Sequence, residues 1–384
     1  MKLLIVSAAP LIPKKKEWKA YGPYVKEMEF WAKYADEIQF CCPVWESDRG
    51  LLVTTIPFET VSPVVLKEFD VQSAAKAFKS IFAVLVNLVY IAKAMKTADH
   101  IHLRCPGNIG LLGCLVQILF PNTPKTAKYA GNWDPKAKQP LSYRIQKWIL
   151  SNTFLTRNMQ VLVYGEWQGS TKNIKPFFTA SYKESDKEDV PLRKILRQTQ
   201  DGSEPQEDIR FLFVGTLSEG KRPLYAIQLV EELRNKGYSV RMDLYGEGKE
   251  RAQLLSYIQE KGLQKIVVLH GNQSAETVQH AYRDSHFLLL PSKSEGWPKV
   301  VAEAMFWGCV PVASAVSCVP TMLDNGTRGV VLTMVFDEDF NQLKKVIDDA
   351  GKYQILAEKG MLWSRHYTLD YFESEIRGLL ERPS

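Results

Sequence analysis

The sequence predicts an α/β protein of two doubly wound, mostly parallel sheets, each with helices packed on it. Two observations lead there. Short, continuously apolar runs, the mark of strands buried on both faces, alternate with helix-length stretches through both halves of the chain. At 384 residues the chain is also too long for one ordinary core. Two domains are therefore expected, over residues 1–200 and 207–362, joined by the polar stretch SYKESDKEDVPLRKILRQTQDGSEPQ at 181–206.

The first half reads as strands at 2–6, 37–44, 53–58, 100–104, 126–130 and 160–164, with helices at 24–34, 71–95, 110–119 and 141–155. Right-handed crossovers between parallel strands place ligands on the loops that follow the strands. Three such loops stand out. After the first strand, a long loop with Lys14, Lys15 and Lys16 leads to Tyr21-Gly22-Pro23-Tyr24, where Gly22 opens a helix. Arg104 begins the turn Arg104-Cys105-Pro106-Gly107-Asn108, and its guanidinium suits a bidentate grip on an acidic acceptor or phosphate as well as it suits a structural ion pair. Gly131-Asn132-Trp133-Asp134-Pro135 offers an amide and an exposed-looking indole, fit for sugar binding and equally for an ordinary turn.

The second half reads as strands at 209–214, 239–245, 266–270, 287–290 and 310–313, with helices at 223–236, 249–261 and 275–283. Its centre is FLLLPSKSEGWPKVVAEAMFWGCVPVA, residues 287–313. Two buried strands flank a helix over 297–307, with Pro298 in its first turn and Gly308 at its end. The helix opens at the carboxyl end of a parallel strand, where its free N–H groups suit a phosphate. Glu295 precedes the helix, and Glu303 is the only acid on an otherwise largely apolar helix, so it needs a partner. A plainer reading has Glu295 complement the helix's positive end and Glu303 pair with a surface Lys.

Charge is unevenly distributed. Residues 1–200 carry 28 Lys and Arg against 17 Asp and Glu, so the basic surplus lies in the first half. Such a half can lie against an anionic membrane or steer an anionic acceptor, and no nucleic-acid recognition signature accompanies it. The stretch 81–92 is shorter than the roughly 20 apolar residues that cross a bilayer, so 71–95 reads as a helix packed in the protein or lying on a membrane. MKLLIVSAAP has too short an apolar run for a signal peptide and reads as the first strand. The six cysteines show neither metal-ligand nor disulfide spacing, so a cytoplasmic protein is expected. Asp337-Glu338-Asp339 is explained by N-capping, and no metal is expected.

Glu-x7-Glu within SEGWPKVVAEAMFWGCVPVA resembles the donor-sugar motif of the family-4 retaining glycosyltransferases, which have the GT-B fold of two Rossmann-like domains. The resemblance implies that Glu295 holds donor-sugar hydroxyls and Glu303 the nucleotide ribose, since a charged acceptor binds a hydroxyl about twice as strongly as a neutral one. Gly215-Thr216-Leu217-Ser218-Glu219-Gly220-Lys221-Arg222-Pro223 is similar to the family loop whose Arg and Lys clamp the donor diphosphate. Lys221 matches; Thr216 stands at the Arg position, and Arg222 is placed to supply the missing charge. Gly246-Glu247-Gly248 and His270-Gly271-Asn272 resemble the loops beside the nucleobase. Together these motifs cover roughly residues 209–330 in family order.

In the first half the resemblance is thinner. Gly22 stands alone where the family has paired glycines, and Arg104 stands where several members carry a histidine that touches the donor sugar, with His102 two residues earlier. Gly22, Tyr24, Arg104, Asn132 and Trp133 are the acceptor-side candidates. The amphipathic stretch 363–380 is expected to return to the first domain, as the last helix does in GT-B proteins.

The implied reaction is retaining transfer of a sugar from a nucleoside diphosphate to an acceptor. The departing diphosphate's charge would fall to Lys221, Arg222 and the N–H groups of Lys299 and Val300, beside Gly296 and Trp297. Glu295, Lys221 and Arg104 are the catalytic candidates. Surface-polysaccharide or glycolipid assembly is the expected setting, with a lipid-linked acceptor and a peripheral place on the inner membrane face. A sugar-nucleotide epimerase of the same architecture and a non-catalytic membrane or partner binder are the alternative readings. An oxidoreductase is disfavoured because no GxGxxG follows either half's first strand.

Overall fold

Continuously apolar strands build a parallel sheet in each half of the chain. The computed structural model describes residues 1–15, 17–69, 74–195 and 208–381, with the side chains of 74–79 outside that description. Two compact units result: Met1–Phe177 with Glu373–Ser384, and Phe178–Phe372.

The first unit holds a seven-stranded sheet in the order Ile174–Phe177, Met159–Tyr164, Lys125–Tyr129, His100–Cys105, Lys2–Val6, Glu37–Cys42 and Val61–Val65, all parallel. One sheet face, with Leu4, Ile101, Leu103 and Val161, packs on the helices Ala74–Lys96, Asn108–Val116 and Leu141–Leu150. Over the other face lies Gly22–Ala32, whose Trp31 is fully buried against the His102 ring, centroids 4.0 Å apart. The expected strand over 53–58 is a correction. Val53–Thr55 joins Ile12–Lys14 and Glu17–Tyr21 in a separate antiparallel sheet, and Val61–Val65 takes the edge of the main one. An edge is where the missing N–H of Pro63 is tolerated.

The second unit holds six parallel strands in the order Val267–Gly271, Val240–Tyr245, Ile209–Val214, Phe287–Leu290, Val310–Ser314 and Val330–Leu332. Every residue of Phe287–Leu290 and Val310–Ser314 is buried, as their unbroken apolar sequence requires. Residues 178–195 count with this unit. Ile195 lies in its core, and Arg193 donates to the carbonyls of Tyr282 at 3.1 Å and Trp307 at 3.3 Å. The rest of the polar stretch, 196–206, lies outside the described residues.

Two further corrections concern the C-terminal part. The single helix expected over 363–380 is two, Ala350–Ser364 and Leu369–Leu380. Thr368 starts the second, its hydroxyl accepting from the Tyr371 N–H at 3.3 Å as an N-cap residue does. In Asp337-Glu338-Asp339, Asp339 does not cap as an N-terminal residue. It sits fully buried inside Phe336–Ile347 and reaches back, accepting from the N–H groups of Thr333 at 2.7 Å and Met334 at 3.0 Å and from the Tyr225 hydroxyl at 2.6 Å. Asp339→Ala removes the acceptor of these donors and of the Thr333 hydroxyl, so it should cost about 3 kcal/mol and lower the Tm of the full chain, read by thermal unfolding.

Candidate functional site

Four strands of the second unit end in loops that meet at one edge of its sheet. The Gly215 N–H donates to the Tyr245 carbonyl at 2.9 Å, Leu217 N–H to Glu247 carbonyl at 3.0 Å, and Gly246 N–H to Gly271 carbonyl at 2.8 Å. The Lys293 N–H donates to the Gly220 carbonyl at 2.7 Å, so the loop after Phe287–Leu290 joins the same cluster. Glycine is required where these backbones touch. A Cβ at Gly246, whose φ is +139°, would stand 2.0 Å from the Gly215 carbonyl oxygen, and one at Gly248 would stand 2.2 Å from that of Leu217.

On this frame the Lys221 Nζ lies 2.5 Å from Glu295 Oε1, joining two loops 74 residues apart in sequence. The Glu295 side chain is 9% exposed and that of Lys221 29%, so the pair is shielded from screening while the ammonium stays reachable by a ligand. The turn that presents Lys221 is closed by its N–H and that of Arg222 donating to the Ser218 carbonyl, at 2.9 and 3.1 Å. Arg222 then takes a left-handed backbone, φ 51°, before the helix Pro223–Asn235. That conformation is uncommon for a non-glycine residue and gathers at functional loops. No hydrogen bond or salt bridge among the described residues engages its guanidinium. Thr216, at the position the resemblance gives to an Arg, is exposed.

The helix after Glu295 runs Lys299–Phe306, and Pro298 is its N-cap residue rather than part of its first turn. Its φ of −75° suits the helix but its ψ of 90° does not, so the chain turns in only after it. Lys299 and Val300 therefore supply the first N–H groups, which have no partner within a helix. The Gly296 carbonyl accepts from the Ser317 hydroxyl at 3.0 Å and the Cys318 thiol at 3.2 Å, which fixes the turn between Glu295 and the helix. Trp297 stacks on Trp363, centroids 6.2 Å apart at 27°, in a cluster with Tyr367 and Phe178.

Glu303 pairs with hydroxyls instead of the surface Lys of the plainer reading. Its Oε1 accepts from Ser181 at 2.5 Å and its Oε2 from Tyr282 at 2.9 Å. Burial, and then the Glu303 charge, push the Tyr282 phenol far above its ordinary range, so it stays a donor. Each carboxylate oxygen has a further lone pair for a ligand hydroxyl. His270 Nε2 lies 2.6 Å from Asp243 Oδ1, and its ring stacks on Tyr245 at 4.6 Å and 8°. The strand Val240–Tyr245, VRMDLY, sets Asp243 and Tyr245 on one face; an acid inside an apolar strand was the signal for both.

In the first unit the candidates scatter. Arg104 pairs with Glu27 from the helix Gly22–Ala32, and Lys128 Nζ lies 2.9 Å from the same carboxylate. Alternation puts His102 and Arg104 on one sheet face beside Thr126 and Lys128 of the next strand. His102 is fully buried, its Nδ1 2.9 Å from Thr126 Oγ1, and burial holds its pKa well below the usual imidazole range. Gly22 opens its helix as expected, its N–H donating to the Leu52 carbonyl at 2.9 Å. Tyr24 is buried in that helix, and its ring lies 5.4 Å from the Arg104 guanidinium. Asn132 closes its own turn, its side-chain oxygen accepting from the Asp134 N–H at 2.9 Å. Trp133 corrects the expectation of an exposed indole: it is 4% exposed, packed in a T-shape with Tyr129 at 4.9 Å, with the Lys147 ammonium 5.2 Å from its ring centre. Among the described residues, no three His, Cys, Asp or Glu side chains gather as a metal-ligand set.

Two parallel-sheet, Rossmann-like units in tandem, the second with charged loops at the carboxyl ends of its strands, define the GT-B class of glycosyltransferase folds. Residues 195–363 match the family model of glycosyl transferases group 1. The chain is 30% identical over 169 residues to a lipopolysaccharide 1,6-galactosyltransferase of Salmonella typhimurium, covering 43% of this chain and 46% of that protein. It is 25% identical over 170 residues to an alpha-D-kanosaminyltransferase of Streptomyces kanamyceticus, covering 44% of each. The matched stretch thus spans less than half the length of these relatives. Among solved structures, the whole chain is similar to the apo form of the lipopolysaccharide outer core galactosyltransferase WaaB, with TM-score 0.68, 15% identity and 99% of each chain covered. It is also similar to Anabaena HepE in complex with UDP and glucose, with TM-score 0.63, 13% identity and 99% of each chain covered.

Burial alone would raise the Glu27 carboxyl, but Arg104 and Lys128 outweigh it and hold it at about 2, below the ordinary 4.5. A depressed folded pKa means the triad stabilises the fold fully above pH 4.5 and loses that contribution as pH falls toward 2. In acid unfolding followed by circular dichroism, Glu27→Gln should be less stable at neutral pH and should flatten the pH dependence across that window.

Proposed function

We propose that this chain is a retaining glycosyltransferase that moves a hexosyl group from a nucleoside diphosphate to a hydroxyl acceptor without a metal ion. The observation that carries the reading is the Lys221–Glu295 pair at 2.5 Å, with the open guanidinium of Arg222 and the start of Lys299–Phe306 on the same group of loops. Breaking the bond between the anomeric carbon and the diphosphate leaves negative charge on the departing phosphate. Lys221, Arg222 and the N–H groups of Lys299 and Val300 are the positive and donating groups that would receive it, in place of a divalent cation. Glu295 holds the Lys221 ammonium in place, and its remaining lone pairs suit donor-sugar hydroxyls. Glu303, held by two hydroxyls and paired with no cation among the described residues, would accept from the ribose hydroxyls, while the Tyr245–His270 stack offers a flat face to the nucleobase. The new bond forms from the acceptor oxygen to the anomeric carbon, and the acceptor's proton leaves with the nucleoside diphosphate.

The setting proposed is surface-polysaccharide or lipopolysaccharide assembly in the cytoplasm, with a sugar or lipid-linked acceptor. The names of the relatives support it: besides the galactosyltransferase, an Erwinia amylovora protein for amylovoran biosynthesis is 28% identical over 152 residues. UDP is the first nucleotide to try, because HepE was solved with it.

Lys221→Ala and Glu295→Ala should each cut transfer at least about tenfold, as loss of a charged donor or acceptor does, with the fold intact by circular dichroism. Wild-type rates in both variants would refute the reading. UDP or UDP-sugars should raise the Tm in proportion to the logarithm of ligand excess, and EDTA should leave transfer unchanged. Activity lost to EDTA and restored by magnesium or manganese would refute the metal-free part.

A further inference from the structure

Parallel strands start together as well as end together, and the first unit's sheet has a cleft along its starting edge, opposite the turns that carry Arg104 and Asn132. His100, Lys125 and Met159, each the first residue of its strand, line this cleft with Asn173, the residue before Ile174–Phe177. Pro121, Pro124 and, from the last helix, Leu380 supply apolar walls. The opening holds about 750 Å3, room for a metabolite-sized molecule rather than a bare ion.

Charge selects the occupant. Lys125 is 2% exposed, and a lysine so deeply buried ordinarily has a carboxylate beside it. Among the described residues this one has none. Its Nζ donates to the carbonyls of Phe120 at 2.5 Å and Thr123 at 2.9 Å, two of the three bonds an ammonium can make. Burial, with no acid to oppose it, brings the Lys125 pKa down to about 8. Burial and then the Lys125 charge hold the neighbouring His100 at about 4, so its imidazole is neutral at pH 7. Two more cations, Arg157 and Lys172, stand exposed on the same cleft, and no acid among the described residues pairs with either. The Arg157 guanidinium rests on the Phe154 ring, 4.7 Å from its centre, which leaves its N–H edge open. Asp99 is the one acid among the lining residues, and its carboxylate already accepts from the Lys2 N–H at 2.6 Å.

Three cations against one occupied carboxylate call for an anion. A phosphate monoester brings close to two negative charges and three acceptor oxygens, where a carboxylate brings one charge and two. The exposed side chains of Asn122 and Thr153, also on the cleft, suit hydroxyls on the organic part. We propose that this cleft binds a small hydroxylated phosphate monoester, its phosphate received by Lys125, Arg157 and Lys172 and its hydroxyls by Asn122 and Thr153. The proposal uses no residue of the second unit's loops and stands apart from the transfer reaction.

The test is isothermal titration of the full chain with glycerol 3-phosphate, beside glycerol and inorganic phosphate. Glycerol 3-phosphate should bind, glycerol should not, and inorganic phosphate should bind more weakly. Arg157→Ala with Lys172→Ala replaces exposed side chains and spares the core, and should weaken glycerol 3-phosphate at least about tenfold. Its Tm and the thermal shift given by UDP should match those of the parent. Lys125→Met keeps the buried stem without the charge and should weaken binding likewise; the exposed pair keeps the test valid should that variant fail to fold. Lys221→Ala should bind glycerol 3-phosphate as the parent does. Four results would overturn the proposal: no binding to the parent, a double variant that binds as well as the parent, binding lost in Lys221→Ala instead, which would put the phosphate on the second unit's loops, or inorganic phosphate bound as tightly as the ester, an adventitious ion only. Because binding is read without donor or acceptor, its failure leaves the transfer reading standing, and the reverse holds.

Discussion

The second unit depends on close backbone contact. Its strand-ending loops touch where Gly246 meets the Gly215 carbonyl and Gly248 meets that of Leu217, and no side chain larger than hydrogen fits at Gly246 or Gly248. That contact brings residues far apart in sequence to one edge of the sheet, so that an ammonium on one loop meets a carboxylate on another. With a Cβ at Gly246 the Gly215 carbonyl would have to move, and with it the turn that presents Lys221 and Arg222. Chemistry here rests on the absence of side chains as much as on the charged ones present.

The two units use ionic groups in different ways. In the first, Glu27, Arg104 and Lys128 form a mostly buried triad under one helix, where the cations hold the carboxylate ionised and breaking any member leaves a charge stranded. Such a group ties a helix to its sheet. In the second, the Lys221–Glu295 pair is open on the lysine side, and Arg222 stands in a left-handed turn with its guanidinium unengaged among the described residues. A ligand phosphate can join this pair without dismantling the fold. The same residue types are thus closed into a buried triad in one unit and left open to a ligand in the other, and the difference is solvent access.

The layer of three helices on the first unit extends this contrast between covered and open surface. Its inner side completes the core with Ile91, Met95 and Leu112, and its outer side leaves Phe82, Leu85 and Trp148 bare among cations.

Much of this was legible in the residues alone. Unbroken apolar runs such as Phe287–Leu290 and Val310–Ser314 can only be strands buried on both faces, and Gly308, with φ of +73°, ends its helix as a glycine there must. Lys221 and Glu295 could be singled out because their loops carry recognisable spacing, although nothing in one dimension says that they touch. Tertiary structure decided the rest. Trp133 looked available because polar neighbours surround it in sequence, but the turn folds its ring against Tyr129. Arg104 could have met a ligand or an acid equally well until the helix Gly22–Ala32 laid Glu27 over it. The residues 363–380 looked like one helix because an amphipathic stripe continues through them, while Thr368 breaks it with a local cap. Periodicity and spacing are local properties and survive in sequence; which side chain a helix covers, and which charge finds its partner, depends on how distant segments pack.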